Sequence, residues 1–167
     1  MRVISIDPGY DRCGIAIVEK NASEREVIVF SECFQTQKED SLNKRIFSVG
    51  ERVNSLIREH QPSAMAIEGL FFSKNTKTAL QVSEVRGVVI FQAMATDLDL
   101  YEYTPNQIKV AVTGYGSAKK QDVHHLVSKL ITLGDKKYID DEIDAIAVGL
   151  TFFASCQLQN TTSPQRY

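Results

Sequence analysis

A mixed α/β fold, with a five-stranded sheet flanked by helices, is predicted for this 167-residue chain from three features of its sequence. Three strand-like segments joined by short polar turns open the chain, as in an antiparallel meander. Two further apolar segments, Ala64–Ile67 and Leu100–Tyr103, each follow a long stretch of helical periodicity, the pattern of strands added in parallel. After Tyr103 the remaining apolar residues recur at helical spacing or not at all.

The elements follow in order. Arg2 to Asp7 (R-V-I-S-I-D) alternates as a half-buried strand does, and Asp7-Pro8-Gly9 ends it with turn chemistry. Gly14–Val18 and Glu26–Phe34 are rich in β-branched and aromatic residues, and the polar Lys20-Asn21-Ala22-Ser23 between them suits a hairpin turn. From Ser41 to His60, Leu42, Ile46, Val49, Val53, Leu56 and Ile57 mark an amphipathic helix, which Gln61-Pro62-Ser63 ends. Ala64-Met65-Ala66-Ile67 is a buried strand that delivers Glu68 at its C-terminal end. Helices are expected over Thr76–Thr96, Thr104–Val112 and Lys119–Leu133, with Gly114 and Gly116 breaking the chain between the last two. A final helix should run from Asp140 to Gln157, leaving a polar, aperiodic tail over 158–167 that should be disordered.

With 43% hydrophobic residues the chain can bury one sizeable core, so residues 1–157 are read as one domain. No stretch approaches the roughly 18 apolar residues of a membrane span, and the N-terminus leads into a strand rather than a signal sequence; a cytoplasmic protein with no membrane partner is expected. Cys13, Cys33 and Cys156 form an odd set without C-x-x-C spacing, so they are expected to be reduced and buried rather than bridged or zinc-bound. A net charge of −2 does not by itself mark a nucleic-acid binder. Its distribution is uneven, however: Lys74–Lys137 holds nine Lys and Arg against six Asp and Glu, and Lys109–Lys137 holds six lysines against two acids. The basic excess is central in sequence, which a lysine-rich solvated helix face would also explain.

Carboxylates at the ends of elements carry the chemistry. Asp7 closes the first strand, Glu68 closes the fourth, and Asp140, Asp141 and Asp144 stand at the start of the last helix. Asp141 and Asp144, three residues apart, share a helix face. If the two strands are neighbours, all these acids meet at one sheet edge, where their repulsion calls for divalent cations, with hard oxygen ligands favouring magnesium or manganese. Taken singly, Asp-Pro-Gly is a common turn, and Asp140, Asp141 and Glu142 are ordinary residues for a helix start. Asp144 among Ile143, Ala145, Ile146, Ala147 and Val148, and Glu68 between Ile67 and Gly69-Leu70-Phe71-Phe72, are harder to explain without a partner for their charge.

Several segments resemble the RuvC family of Holliday junction resolvases, in order and with matching spacing. They are I-D-P-G at Ile6–Gly9 with Gly14, A-I-E-G-L-F-F-S-K-N at Ala66–Asn75, A-L at Ala79–Leu80, R-G-V at Arg86–Val88, Q-I-K at Gln107–Lys109, G-Y-G-S-A-K-K at Gly114–Lys120 and D-D-E-I-D-A-I-A at Asp140–Ala147. The resemblance implies an RNase H-like fold and a homodimer that nicks two opposed strands of a four-way DNA junction during recombination and repair, leaving 5′-phosphate and 3′-hydroxyl ends. It also implies partnership with branch-migration proteins of the RuvA and RuvB type. Matched residue by residue, the catalytic and metal-binding acids are Asp7, Glu68, Asp141 and Asp144, with Asp140 an extra acid that leaves the registry open. Two Mg2+ ions per site, replaceable by Mn2+, would lie about 3.5–4 Å apart, with Asp7 bridging, Glu68 and Asp144 holding one each and Asp141 assisting.

Lys109 and Lys120 match basic residues that contact DNA near the cut, and Lys74, Lys77 and Lys119 extend a candidate groove. Phe71 matches an aromatic residue placed against bases, and Phe72 is left to packing. The polar, basic Ser73–Lys77 stretch suits a surface loop in which a ring can stack on a splayed base. His124 and His125 lie on a predicted helix without a ligand pattern and are given no role. The apolar face of the Thr76–Thr96 helix is the expected dimer surface. Two other readings stay open: an RNase H-like nuclease of the YqgF type, implicated in ribosomal RNA processing, and a catalytically silent junction-binding module on the same fold.

Overall fold

The computed structural model describes residues 1–21, 25–70, 76–131 and 137–159. They form strands β1 (Arg2–Asp7), β2 (Arg12–Glu19), β3 (Val27–Gln35), β4 (Ala64–Glu68) and β5 (Asp99–Tyr103), and helices α1 (Leu42–His60), α2 (Thr76–Ala95), α3 (Pro105–Thr113), α4 (Lys120–Leu130) and α5 (Asp140–Gln159). The sheet order is β3-β2-β1-β4-β5. β1, β2 and β3 pair antiparallel, whereas β4 adds parallel to β1 and β5 parallel to β4. This is the expected meander with parallel additions.

Strand alternation divides the core into two layers. Ile4, Ile6, Ile15, Ile17, Met65 and Ile67 face Val49, Val53, Leu56 and Ile57 of α1 and Val85, Val89 and Ala93 of α2. Val3, Ala16, Val18, Ala64 and Ala66 face the other way, onto α3, α4 and α5. By the same parity Asp7 follows Val3 and Ser5, and Glu68 follows Ala64 and Ala66, so both carboxylates belong to the α5 side. The residues under α5 are small, which lets that helix sit close to the sheet. A Cβ on Gly149 would fall 2.7 Å from Val18 Cγ2 and 2.9 Å from Ser5 Oγ, and one on Gly14 only 1.9 Å from the Asp141 carbonyl oxygen.

Gly14 is therefore the seat of the first turn of α5. Gly14→Ala is expected to cost about 1–3 kcal/mol, the range for overpacking, readable as a lower denaturation midpoint. Because the clash is with the backbone of Asp141, cleavage should fall further than in a core variant of equal stability loss.

Boundaries differ from expectation by one to three residues, with local causes. α3 starts at Pro105 because Thr104 is its cap: the Gln107 N–H donates to Thr104 Oγ1, the Thr104 N–H donates to Gln107 Oε1, and Pro105 opens the first turn. α4 was expected to reach Leu133 but stops at Leu130, where Ile131 turns extended and buries its side chain. Among the described residues no helix is long and apolar enough to cross a membrane. The cysteine expectation needs correction. Cys13 is buried, but Cys33 and Cys156 are only part-buried, Cys33 because it lies on the sheet's edge strand beside the start of α5.

Candidate active site

The parallel register of β1 and β4 pairs Ile6 with Ile67, so Asp7 and Glu68 leave the sheet side by side, within hydrogen-bonding reach of each other. The first turn of α5 lies over this edge and brings Asp141 and Asp144 towards Asp7, whose proton affinity both of them raise. The turn after Asp7 is held by a strut from α1. Arg45 pairs with Asp11, its Nε donates to Thr36 Oγ1 at 2.8 Å, and the Thr36 hydroxyl donates to the Tyr10 carbonyl at 2.7 Å. Its guanidinium also stacks 5.2 Å from the Tyr10 ring centroid, so the Asp7–Tyr10 backbone has few ways to move.

Lysine, histidine and arginine side chains surround the acids. Lys120 Nζ lies 2.8 Å from Asp144 Oδ2 and 3.6 Å from Asp140 Oδ2. His124 Nε2 lies 3.0 Å from Asp144 Oδ1. Arg12 Nε is 3.3 Å from Asp141 Oδ2, and Cys33 Sγ lies 3.9 Å from the same oxygen. Beside these acids opens a cleft of about 170 Å³ lined by Glu68, Lys109, Lys120 and Asp144, with Pro105, Ile108, Val123 and Ala147 as its apolar wall. That is smaller than a usual small-molecule pocket of about 300–1,000 Å³.

The electrostatics are those of crowded anions. The Asp7 carboxyl titrates well above its ordinary range, first because water is withdrawn from it and then because Glu68, Asp144 and Asp141 press negative charge on it, with Lys120 offsetting only part. Glu68 is raised by burial and by Asp144, against the opposing effects of its hydrogen bond with Asp7 and the charges of Lys120 and Lys109. Burial works against the Lys120 ammonium, but its hydrogen bond to Asp144 and the charges of Asp144, Asp140 and Asp141 lift its pKa. Burial, then Asp141, pushes the Cys33 thiol up to about 11, so it is no thiolate at neutral pH.

Such a set of hard oxygen donors, short of positive charge, fits small divalent cations such as magnesium or manganese. Among the described residues no three His, Cys, Asp or Glu side chains enclose one point as they stand. Asp144 is turned onto Lys120 and His124, and Asp141 onto Arg12. Taking up an ion therefore requires Asp144 to exchange Lys120 for it at Oδ2 and Asp141 to exchange Arg12.

Asp7, Glu68, Asp141, Asp144, Lys109 and Lys120 are thus brought to one place. Asp140, the neighbouring acid, is 66% exposed and faces Lys120 and His124, whereas the Asp141 side chain is 18% exposed. Lys119 stands exposed just before α4, its N–H donating to Asp122 Oδ2, and does not line the cleft. Phe71, Phe72 and Lys74 lie outside the described residues, and nothing is described of the Lys77 side chain. Sequence reasoning missed two residues. Arg12 pairs with Asp141, and His124, which was given no role, bonds to Asp144. The signal for His124 was its i, i+4 spacing from Lys120, which places both on one helix face.

The family model described as crossover junction endodeoxyribonuclease RuvC matches residues 3–152. The crossover junction endodeoxyribonuclease RuvC of Thermosipho melanesiensis is 42% identical over 148 residues, covering 89% of this chain and 94% of that protein. That of Natranaerobius thermophilus is 37% identical over 150 residues, covering 90% and 92%. Among solved structures, T. thermophilus RuvC in complex with Holliday junction substrate superposes with a TM-score of 0.87 at 26% identity, over 95% of this chain and 96% of that one. The yeast mitochondrial Holliday junction resolvase Ydc2 gives a TM-score of 0.70 at 14% identity, over 95% and 80%, a likeness of fold.

Proposed function

The chain belongs to the RuvC family of crossover junction endodeoxyribonucleases, and from that premise we propose that Asp7, Glu68, Asp141 and Asp144 are its catalytic acids and hold two Mg2+ ions, with Mn2+ able to replace them. The protein is a structure-specific DNA endonuclease that resolves Holliday junctions in recombination and repair. The observation that carries the site assignment is the convergence of four carboxylates from two adjacent strand ends and one helix start, with Asp7 held in the neutral direction by burial and then by the other three.

When bound, the ions supply Lewis acidity for in-line attack of water on the scissile phosphate and for departure of the 3′ oxygen. The chain's own residues do the rest. Asp7 would be the ligand common to both ions, because a strand end braced by the Arg45 strut is a rigid place to hold it. Glu68 and Asp144 would hold one ion each, with Asp141 assisting. Lys120 and Lys109, on the cleft's basic side, hold phosphate oxygens and offset charge developed during cleavage. Phe71, Lys74 and Lys119 extend the DNA-binding surface.

A homodimer suits the symmetrical cutting of two opposed strands, because the described residues of one chain bring these four acids together at one place. Exposed Leu80, Phe91 and Met94 recur along α2 on the side turned away from buried Val85, Val89 and Ala93, with exposed Phe47 on the neighbouring α1. That stripe suits a two-fold contact. Junction branch-migration proteins of the RuvA and RuvB type are the further partners. A cytoplasmic site of action is in keeping with three free cysteines.

Junction binding should weaken steeply with salt despite the net charge of −2. The slope of log affinity against log salt is about −0.9 per phosphate neutralised, and Lys109→Ala should flatten it by about one. Fluorescence anisotropy across a salt series reads this, and a flat dependence argues against the groove.

The reading as a whole is tested on a four-way junction with a short mobile core, incubated with protein and magnesium beside a linear duplex and an RNA hairpin. Paired symmetrical nicks with ligatable ends on the junction alone are expected. Binding without cutting in magnesium and manganese would indicate a silent junction-binding module, and cutting of the RNA alone would indicate a processing nuclease.

A further inference from the structure

Lys120 and His124 are four residues apart on α4, and Asp140 and Asp144 are four apart on α5, so two pairs face each other across the helix interface. The resulting box is uneven. His124 Nε2 is 3.0 Å from Asp144 Oδ1, but Nδ1 is 3.8 Å from Asp140 Oδ1, beyond a hydrogen bond. Lys120 is 2.8 Å from Asp144 Oδ2 and 3.6 Å from Asp140 Oδ2. Among the described residues each oxygen of Asp144 therefore has one close partner, and the two partners differ in kind. Lys120 sits on a long flexible stem, 54% exposed, whereas the His124 side chain is 18% exposed. The helix that carries the imidazole is anchored by Val123 and Val127, which are buried in the core layer shared with α5.

We propose that His124 is a positioning residue for Asp144: its Nε2–H holds Oδ1 and so fixes the rotation of the carboxylate that presents Oδ2 to the metal. This inference rests on the assignment of Asp144 as a metal ligand. The two partners then act in sequence. Lys120 holds Oδ2 in the metal-free chain; with that oxygen given to an ion, its ammonium would be free for a phosphate. His124 keeps Oδ1 throughout, so the carboxylate does not have to find its orientation when the ion arrives. Fixing the ligand beforehand lowers the entropy lost on binding, and outer-shell hydrogen bonds of this kind are worth about 10–100-fold in metal affinity or activity. Asp140 supports the arrangement from outside the acid set by keeping negative charge near the imidazole's far nitrogen, which gives the extra acid of the Asp140-Asp141 pair a place.

The test is calorimetric titration of the full chain with Mn2+ in the absence of DNA, on wild type, His124→Ala, His124→Gln and His124→Asn, with melting temperatures recorded alongside. Gln can place an N–H close to where Nε2 lies; Asn is too short to do so. The expected result is an Mn2+ dissociation constant raised about 10–100-fold in His124→Ala, largely restored by Gln and not by Asn. Junction affinity without metal should be unchanged. A merely structural tie between α4 and α5 would lower the melting temperature and leave the Mn2+ titration where it was, which overturns the proposal. So does an Asn variant that titrates like Gln. If the wild type itself takes up no Mn2+, the metal-site reading fails, and the two failures are thereby told apart.

Discussion

Asp7→Asn is expected to reduce junction nicking by at least about a thousand-fold, more than the roughly 10–100-fold typical of outer-shell partners, because the bridging oxygens themselves are altered. The substitution should not destabilise the metal-free fold. Asp7 has a folded-state pKa above the unfolded value of about 3.9, so between those two values the native state holds the extra proton and stability falls as pH rises. Above the folded pKa the full cost of the ionised, crowded carboxylate is present. Asn removes that cost. Metal-free Asp7→Asn should therefore melt higher than wild type at neutral and alkaline pH, with the gap closing as pH falls towards 4. Mn2+ should raise the melting temperature of the wild type by preferential binding to the folded state and have little effect on the variant. A variant that nicks at near wild-type rate would remove Asp7 from the site. One that is inactive and unfolded would leave its role to be read from Asp7→Ser, which also lacks the charge.

Lys120→Ala is the second large effect, and its two readouts move in opposite directions. Lys120 pairs with Asp144 and lies close to Asp140, and its charge is also felt by Asp7 and Glu68. Removing it leaves the acids more negative, so Mn2+ should bind the free protein several-fold more tightly. Nicking should nonetheless fall by about 100-fold, the lower end of the loss when one donor to developing negative charge is removed. Single-turnover cleavage at saturating metal and junction, set beside a metal titration, measures both. Weaker metal binding together with slower nicking would instead make Lys120 a scaffold for the acids.

Much of this was legible in the sequence because strand alternation and helical periodicity are local signals. The segment R-V-I-S-I-D gave both the first strand and its terminal acid, and the strand at 64–68 fell where an apolar run ends in Glu68. The meeting of Asp7 and Glu68 was conditional on their strands being neighbours, a condition that the parallel pairing of β1 with β4 meets. What was not legible depends on pairs distant in sequence. His124 and Asp144 are twenty residues apart and Arg12 and Asp141 more than a hundred, and no periodicity within one element announces a partner on another. The same limit applies to Cys33, whose exposure follows from β3 being the edge strand, and to Ile131, which leaves the helical path and buries its side chain in the core layer. Gly14, met first as part of a motif, has its reason only in three dimensions, where the Asp141 carbonyl occupies the space of its missing Cβ.

Anomalous diffraction from a crystal of the protein with a four-way junction and Mn2+, using an uncleavable linkage at the cut site, tests the central claim most directly. Two manganese peaks about 3.5–4 Å apart, with Asp7 touching both and Glu68 and Asp144 one each, are the predicted result. A single peak, or peaks held by Asp140 in place of Asp141 and Asp144, would contradict it.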